Sequence, residues 1–241
     1  MELRHAGHPR RAVRLAYCQN LHAGETPGEI LAGLTAVTLE LRTRLAPGRS
    51  FGVGMYVPAS ALAELGPGSA GRARLAALLD EHGLEPFTWN AFPYGRFHSP
   101  GLKARVFEPT WADPERLEYT VAVAELAAAL AGEPRAGRHL SISTHTGMHS
   151  SRLADGDPVL AGQAQVALAA GLAGLEQQSG WRAGLGLEAE PRANCNDTPG
   201  PARRRAAPLR RKHHPPPVPP PPPRPGPAPR PAPRGAVPAA A

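Results

Sequence analysis

The stretch ADPERLEYTVAVAELAAALAGEPRAGRHLSIST, residues 112–144, decides the fold, because it holds a helix and the strand that follows it in one continuous reading. Asp113 and Pro114 form a start signal: a capping carboxylate, then the residue whose missing N–H and fixed φ suit the first helical position. Leu117, Val121, Ala124, Leu126 and Leu130 recur at helical spacing, which predicts a helix with those residues on its buried side. Leu140–Thr144 (LSIST) is short and apolar and reads as a buried strand.

The same pair of elements repeats on both sides. Upstream, Arg14–His22 (RLAYCQNLH) reads as a first strand. Thr26, Pro27 and Glu29 then form a capping box ahead of Ile30, Leu31, Leu34, Val37, Leu41 and Leu45. Phe51–Val57 (FGVGMYV) is a second strand, followed by a helix, in one or two pieces, through Leu62, Leu65, Leu75, Leu78 and Leu79, which ends at His82-Gly83. Glu85–Pro93 (EPFTWNAFP) is a third strand, and Tyr94–Asp113 a long loop of the kind that carries function or closes as a lid. Downstream, Asp157-Pro158 starts a helix reaching about Gly180, and Gly184–Glu190 (GLGLEAE) is a fifth strand.

Strict alternation of short apolar strands with amphipathic helices implies a parallel sheet with right-handed crossovers. No GxGxxG follows the first strand, which argues against a dinucleotide-binding sheet. Polar residues gather where different strands end: Asn20 and His22, Asn90, Thr144 and His145, and Glu188. An active face at the carboxyl ends of barrel strands has that pattern. The reading is an α/β fold, an incomplete (β/α)8 TIM barrel of about five βα units. Residues 1–13 are a flexible lead-in, 14–199 the partial barrel and 200–241 a disordered Pro/Arg-rich tail.

Residues 200–241 hold 16 of the 30 prolines, nine of the 27 Lys+Arg and none of the 20 acidic residues. The formal charge of +7 therefore belongs to the tail, and the remainder carries no positive excess to steer a polyanion. Specific nucleic-acid binding by the folded part is not expected. The tail alone could bind nucleic acid or, through its PxxP stretch, a protein module, although its composition needs neither reading.

Cys18 and Cys195 form no CxxC and no disulfide framework, which fits a reducing cytoplasm. The first residues lack the apolar core of a secretory signal, and no stretch is expected to reach the roughly 18 apolar residues of a membrane span.

Five segments together, YCQNLHAGE, FTWNAFPYGRFH, VFEPTWADPERLEYT, SIST and GLGLEAEP, resemble the EboE-type metabolite traffic proteins of the xylose-isomerase-like barrel superfamily. The resemblance covers about residues 14–199. It implies a sugar-like or other small metabolite bound at the barrel mouth, with Asn20, His22, Asn90, Tyr94, His98 and His145 as binding residues. It also implies a metal-binding glutamate at Glu188, the first ligand of a Mn, Mg, Co or Zn site whose partners lie on later strands, so that this chain holds no metal. The alternative in the same superfamily is a metal-dependent sugar or sugar-phosphate isomerase or epimerase. Such a barrel continues through strands six to eight, whereas proline-arginine sequence follows Asn196–Pro199 here; a shifted reading frame in GC-rich coding DNA is the expected origin.

Simpler readings stand beside these. Glu188 or Glu190 could cap a turn or pair with Arg182 or Arg192, and Phe92 and Phe97 could pack the long loop onto the rim. His145 and His149 are four apart, but Gly147 between them argues against the helix a zinc pair needs. The pair His213-His214 reads as solvated. A partial barrel leaves its outer strands as open edges, which predicts self-association or aggregation.

Overall fold

The computed structural model describes residues 2–5, 7–22, 24–94, 106–134, 138–145, 147–149, 157–191 and 193. The chain divides into two units, Met1–Ala206 and Ala207–Ala241, and all described residues belong to the first. The expected tail, with His213 and His214, lies outside the described residues, as do Phe97, His98 and Cys195.

The protein is α/β, built on a parallel sheet of five strands in sequence order: β3 (Ala16–Cys18), β4 (Phe51–Tyr56), β5 (Leu84–Asn90), β6 (Leu140–His145) and β7 (Ala183–Glu188). Each strand pairs with the next, with no reversal of order. The crossovers are α1 (Pro27–Gly33) continuing into α2 (Leu39–Leu45), α3 (Ala59–Glu64) with α4 (Ala70–Glu81), α5 (Pro114–Leu130) and α6 (Asp157–Ser179).

Side chains alternate across a strand, so the register sorts the sheet into two faces. One face carries Phe51, Val53, Met55, Trp89, Leu140 and Ile142, all buried in the main core. The other carries Cys18, Gly52, Gly54, Thr88, Asn90, Ser141, Ser143, Gly184, Gly186 and Glu188, mostly small or polar residues placed side by side by the pairing, together with Tyr56 opposite Asn90 and His145 opposite Glu188, both buried.

Local chemistry explains most element ends. Thr26 accepts the Glu29 N–H at 3.2 Å, while the Glu29 carboxylate accepts the N–H of Glu25 at 2.7 Å, one residue before the cap. Gly83, at φ +56°, lets the chain leave α4 in the left-handed conformation that other residues avoid. Asp113 does begin α5, yet its carboxylate turns back to the Thr110 N–H (2.7 Å) and hydroxyl (2.8 Å) and leaves the helix end uncapped.

Three expectations need correction. The lead-in read as flexible contains two strands: β1 (Glu2–His5) and β2 (His8–Arg14) form an antiparallel hairpin, and Arg14 pairs with Glu85 and lies 3.8 Å over the Phe87 ring. The first strand stops at Cys18, because Gln19–His22 coil into a 3-10 turn whose buried Gln19 amide donates to the Thr38 hydroxyl. Thr38 ends a π-helical turn, Leu34–Thr38, that joins α1 to α2. Finally, Val159–Ser179 of α6 is long and apolar enough to cross a bilayer by length and composition. Here α6 lies against α5 and β7, burying Ala161, Leu168 and Leu172.

Gly52 is where the sheet tolerates least change. A Cβ there would stand 2.1 Å from the Leu15 carbonyl oxygen and 2.7 Å from the Phe87 ring. The obstacle is the backbone of Leu15, just ahead of β3, so relaxation means moving the start of that strand. Gly52→Ala should lower the unfolding free energy by about 1–3 kcal/mol, seen as a lower urea midpoint at constant slope. An unchanged midpoint would show that the strands are not held this closely.

Candidate functional site

This second face becomes chemically distinctive at the carboxyl ends of its strands. Asn90 closes β5 half-buried, its Nδ2 donating to Cys18 Sγ at 2.9 Å and its Oδ1 accepting from Ser143 Oγ at 2.8 Å. Three strands are thereby tied by one amide. Cys18 and Asn90 reach each other across the intervening β4 because Gly54 stands between them; a Cβ there would lie 2.9 Å from Thr88 Oγ1 and 3.3 Å from Cys18 Sγ.

Capacity remains after these bonds. An amide has two N–H donors and two carbonyl lone pairs, so Asn90 keeps one of each, and Ser143 keeps its acceptor positions. Further along, Glu188 is exposed at the end of β7, two residues past Gly186, the register partner of Ser143. Burial, and then the charge of Glu188, raises the carboxyl pKa of Glu190 above the ordinary value. Among the described residues neither carboxylate is in an ion pair, with Arg182 or otherwise. Among the described residues no three His, Cys, Asp or Glu side chains converge in a way that could hold a metal ion.

The chain matches no family model, no curated protein and no solved structure.

The other expected residues separate from this cluster. His22 is exposed, and its Nε2 meets the Tyr17 hydroxyl at 2.6 Å, with the rings stacked 6.0 Å apart. Tyr17 leaves β3 on the opposite face from Cys18, so His22 is directed away from Asn90. Asn20 is half-buried in the same turn, and Tyr94 is half-buried at the start of the long loop. His98 lies outside the described residues.

His145 is a correction. It was expected to contact ligand at the mouth, but it is fully buried, with Phe92 and Phe107 at 6.0 Å and 5.1 Å between ring centroids. Its main-chain carbonyl accepts from Trp111 Nε1 at 3.0 Å. Among the described residues neither ring nitrogen has a hydrogen-bond partner. Burial and the nearby Arg116 charge depress its pKa to about 2, against a weaker opposing pull from the Gly147 backbone that falls short of hydrogen-bond geometry. His149 meets the same Phe107 ring at 5.7 Å, so an aromatic edge faces both imidazoles of the four-spaced pair.

The sequence reading missed the polar centre beneath this rim. Arg116, fully buried on α5, donates from Nη2 to the Ala91 carbonyl (3.1 Å) and the Thr144 hydroxyl, and from Nη1 to the Pro109 carbonyl (3.4 Å). Trp111 lies 5.5 Å from the guanidinium. Burial lowers the Arg116 pKa to about 10, with Tyr119 and Tyr56 acting in the opposite direction, so it stays charged at neutral pH. One turn on, the Tyr119 hydroxyl lies 2.8 Å from the carbonyls of both Val57 and Phe92. Arg116, Tyr119 and Thr120 share helical spacing in ERLEYT, and that triplet is the signal that could have revealed a polar buried face.

Proposed function

We propose that this chain is a metabolite-handling protein that binds an uncharged polyhydroxyl compound, of sugar or polyol type, on the sheet face around Asn90. The observation that carries the reading is the Cys18–Asn90–Ser143 array, which leaves donors and acceptors interleaved within a few ångströms. A sugar hydroxyl both donates and accepts, so it suits such an array better than a carboxylate or an apolar group does. Glu188 and Glu190 at the same end of the sheet disfavour phosphorylated ligands by charge repulsion. Sequential strand order and polar strand ends support a xylose-isomerase-like barrel lineage, in keeping with the EboE-type resemblance. Its metal centre finds only Glu188 with Glu190 beside it among the described residues, so no step is drawn through a cation.

Saturation-transfer NMR against a panel of aldoses, ketoses, polyols and their phosphates tests this. Uncharged members should bind and their phosphates should bind less. Asn90→Leu should weaken the best ligand about tenfold, the equivalent of one good polar contact. Ser143→Ala, which keeps the strand surface, should weaken it by less. Absence of binding by every uncharged member, or binding that ignores both substitutions, would overturn the reading.

A further inference from the structure

We propose that β7 is the seam of a two-fold dimer, in which it pairs antiparallel with β7 of a second copy and extends the sheet to ten strands. The backbone fixes which groups are available. Leu140 N–H donates to the Arg182 carbonyl at 2.9 Å, and Leu140 is in register with Ala183. In a parallel ladder this directs the polar groups of residues 182, 184, 186 and 188 toward β6. Those of Ala183, Leu185 and Leu187 therefore face the open edge. Past β7, Ala193 forms a bridge with His149, and among the described residues no strand pairs with the outer edge of β7.

Charge then selects the register. The exposed side chains at the two ends of this segment are Arg182 and Glu188, on the same face, and neither has a partner among the described residues. Antiparallel pairing about Leu185 places Leu185 opposite its own copy, Ala183 opposite Leu187, and Gly184 opposite Gly186. Arg182 of each copy then stands opposite Glu188 of the other. The residues whose N–H and carbonyl groups face outward are the ones that this register pairs directly, so backbone parity and charge complementarity lead independently to one arrangement.

The occupant is a second copy rather than an unrelated strand because the edge is complementary to itself, the property that a two-fold interface requires. A perpendicular axis also keeps both copies of α6 on the same side of the ten-stranded sheet. On that layer Val159, Leu160 and Val166 are 63%, 48% and 54% exposed. The opposite edge, β3, offers only three residues and makes a poorer seam.

Sedimentation-equilibrium measurements on the full chain test the proposal. The wild type should dimerise reversibly. Arg182→Glu, which sets carboxylates opposite each other twice, should weaken the dimer about tenfold. Adding Glu188→Arg restores opposite charges in the reverse sense and should recover the affinity. Amide hydrogen exchange should show Ala183, Leu185 and Leu187 protected at dimer concentrations and exposed on dilution. A monomer at every concentration, an open-ended series of oligomers, or a dimer unaffected by Arg182→Glu would overturn it.

Discussion

Arg116→Ala is expected to cost about 3–5 kcal/mol of folding stability, the largest loss anticipated for a single substitution in this protein. Arg116 stands at the junction of three segments: the Ala91 carbonyl just past β5, Thr144 in β6 and the Pro109 carbonyl ahead of α5. Removing it strips donors from two main-chain carbonyls and opens a cavity beside Trp111, a residue that is itself fully buried. One effect runs the other way, since a buried guanidinium with no carboxylate partner among the described residues is costly to desolvate. Two orphaned acceptors and a side-chain-sized void outweigh that relief. Arg116→Lys should recover only part of the loss, because an ammonium cannot serve three acceptors through a planar fork. Urea unfolding measures both variants, and an alanine variant within about 1 kcal/mol of wild type would mean that the junction is held by its neighbours.

Acid should destabilise the protein well above the pH at which carboxylates titrate, and His145 should account for it. The imidazole is neutral when folded, with its pKa depressed from 6.5 to about 2 by burial and by Arg116. Below about pH 6.5 the unfolded chain binds a proton that the folded chain refuses, so unfolding gains about 1.4 kcal/mol per pH unit. The contribution is fully present above that pH and is lost as pH falls toward the folded value. Across two units this approaches about 3 kcal/mol, a large share of a typical domain's stability. His145→Phe places a ring of similar breadth beside Phe92 and Phe107 and cannot titrate. Its stability should therefore vary less with pH, by one proton's worth, between about pH 4 and 6.5. Parallel profiles for the two proteins would show that the imidazole is not sealed. Glu85 belongs to a separate, lower range: burial alone would raise its carboxyl, but hydrogen bonds from Arg14 and Ser50 and the charges of Arg14 and Arg138 outweigh that and hold it below the ordinary value.

What could be read from the sequence was local. Thr26-Pro27 and Gly83 announce helix ends through φ preference and one short hydrogen bond, and both act where expected. The parallel order of five strands follows from alternation, which needs no knowledge of partners. Long-range pairing escaped. Asn90 was recognisable as a polar strand end, but its bonds to Cys18 and Ser143 depend on the register of three strands and on Gly54 leaving room between them. Arg116 is unreadable for a different reason: arginine is rarely fully buried, so the sequence phases α5 on Leu117, Val121, Ala124, Leu126 and Leu130, of which Ala124, Leu126 and Leu130 are buried as expected. Leu117 and Val121 are only partly buried, and the enclosed face extends to Arg116, Thr120, Val123 and Ala127. Because it ends a strand, His145 reads as a mouth residue, and only the placement of Phe107 and Trp111 shows that it is roofed.

The four glycines on the face that carries Asn90 are not equivalent. On β4, Gly52 and Gly54 are hemmed in by a carbonyl, a ring and a hydroxyl at under 3 Å. On β7, a Cβ at Gly184 or Gly186 would meet nothing nearer than 3.7 Å. The middle of this surface is therefore frozen by its own neighbours, whereas its border is free to acquire new side chains. A lineage that kept β4 fixed could change what the surface recognises by altering β7 alone, gaining selectivity one residue at a time while its scaffold stayed constant.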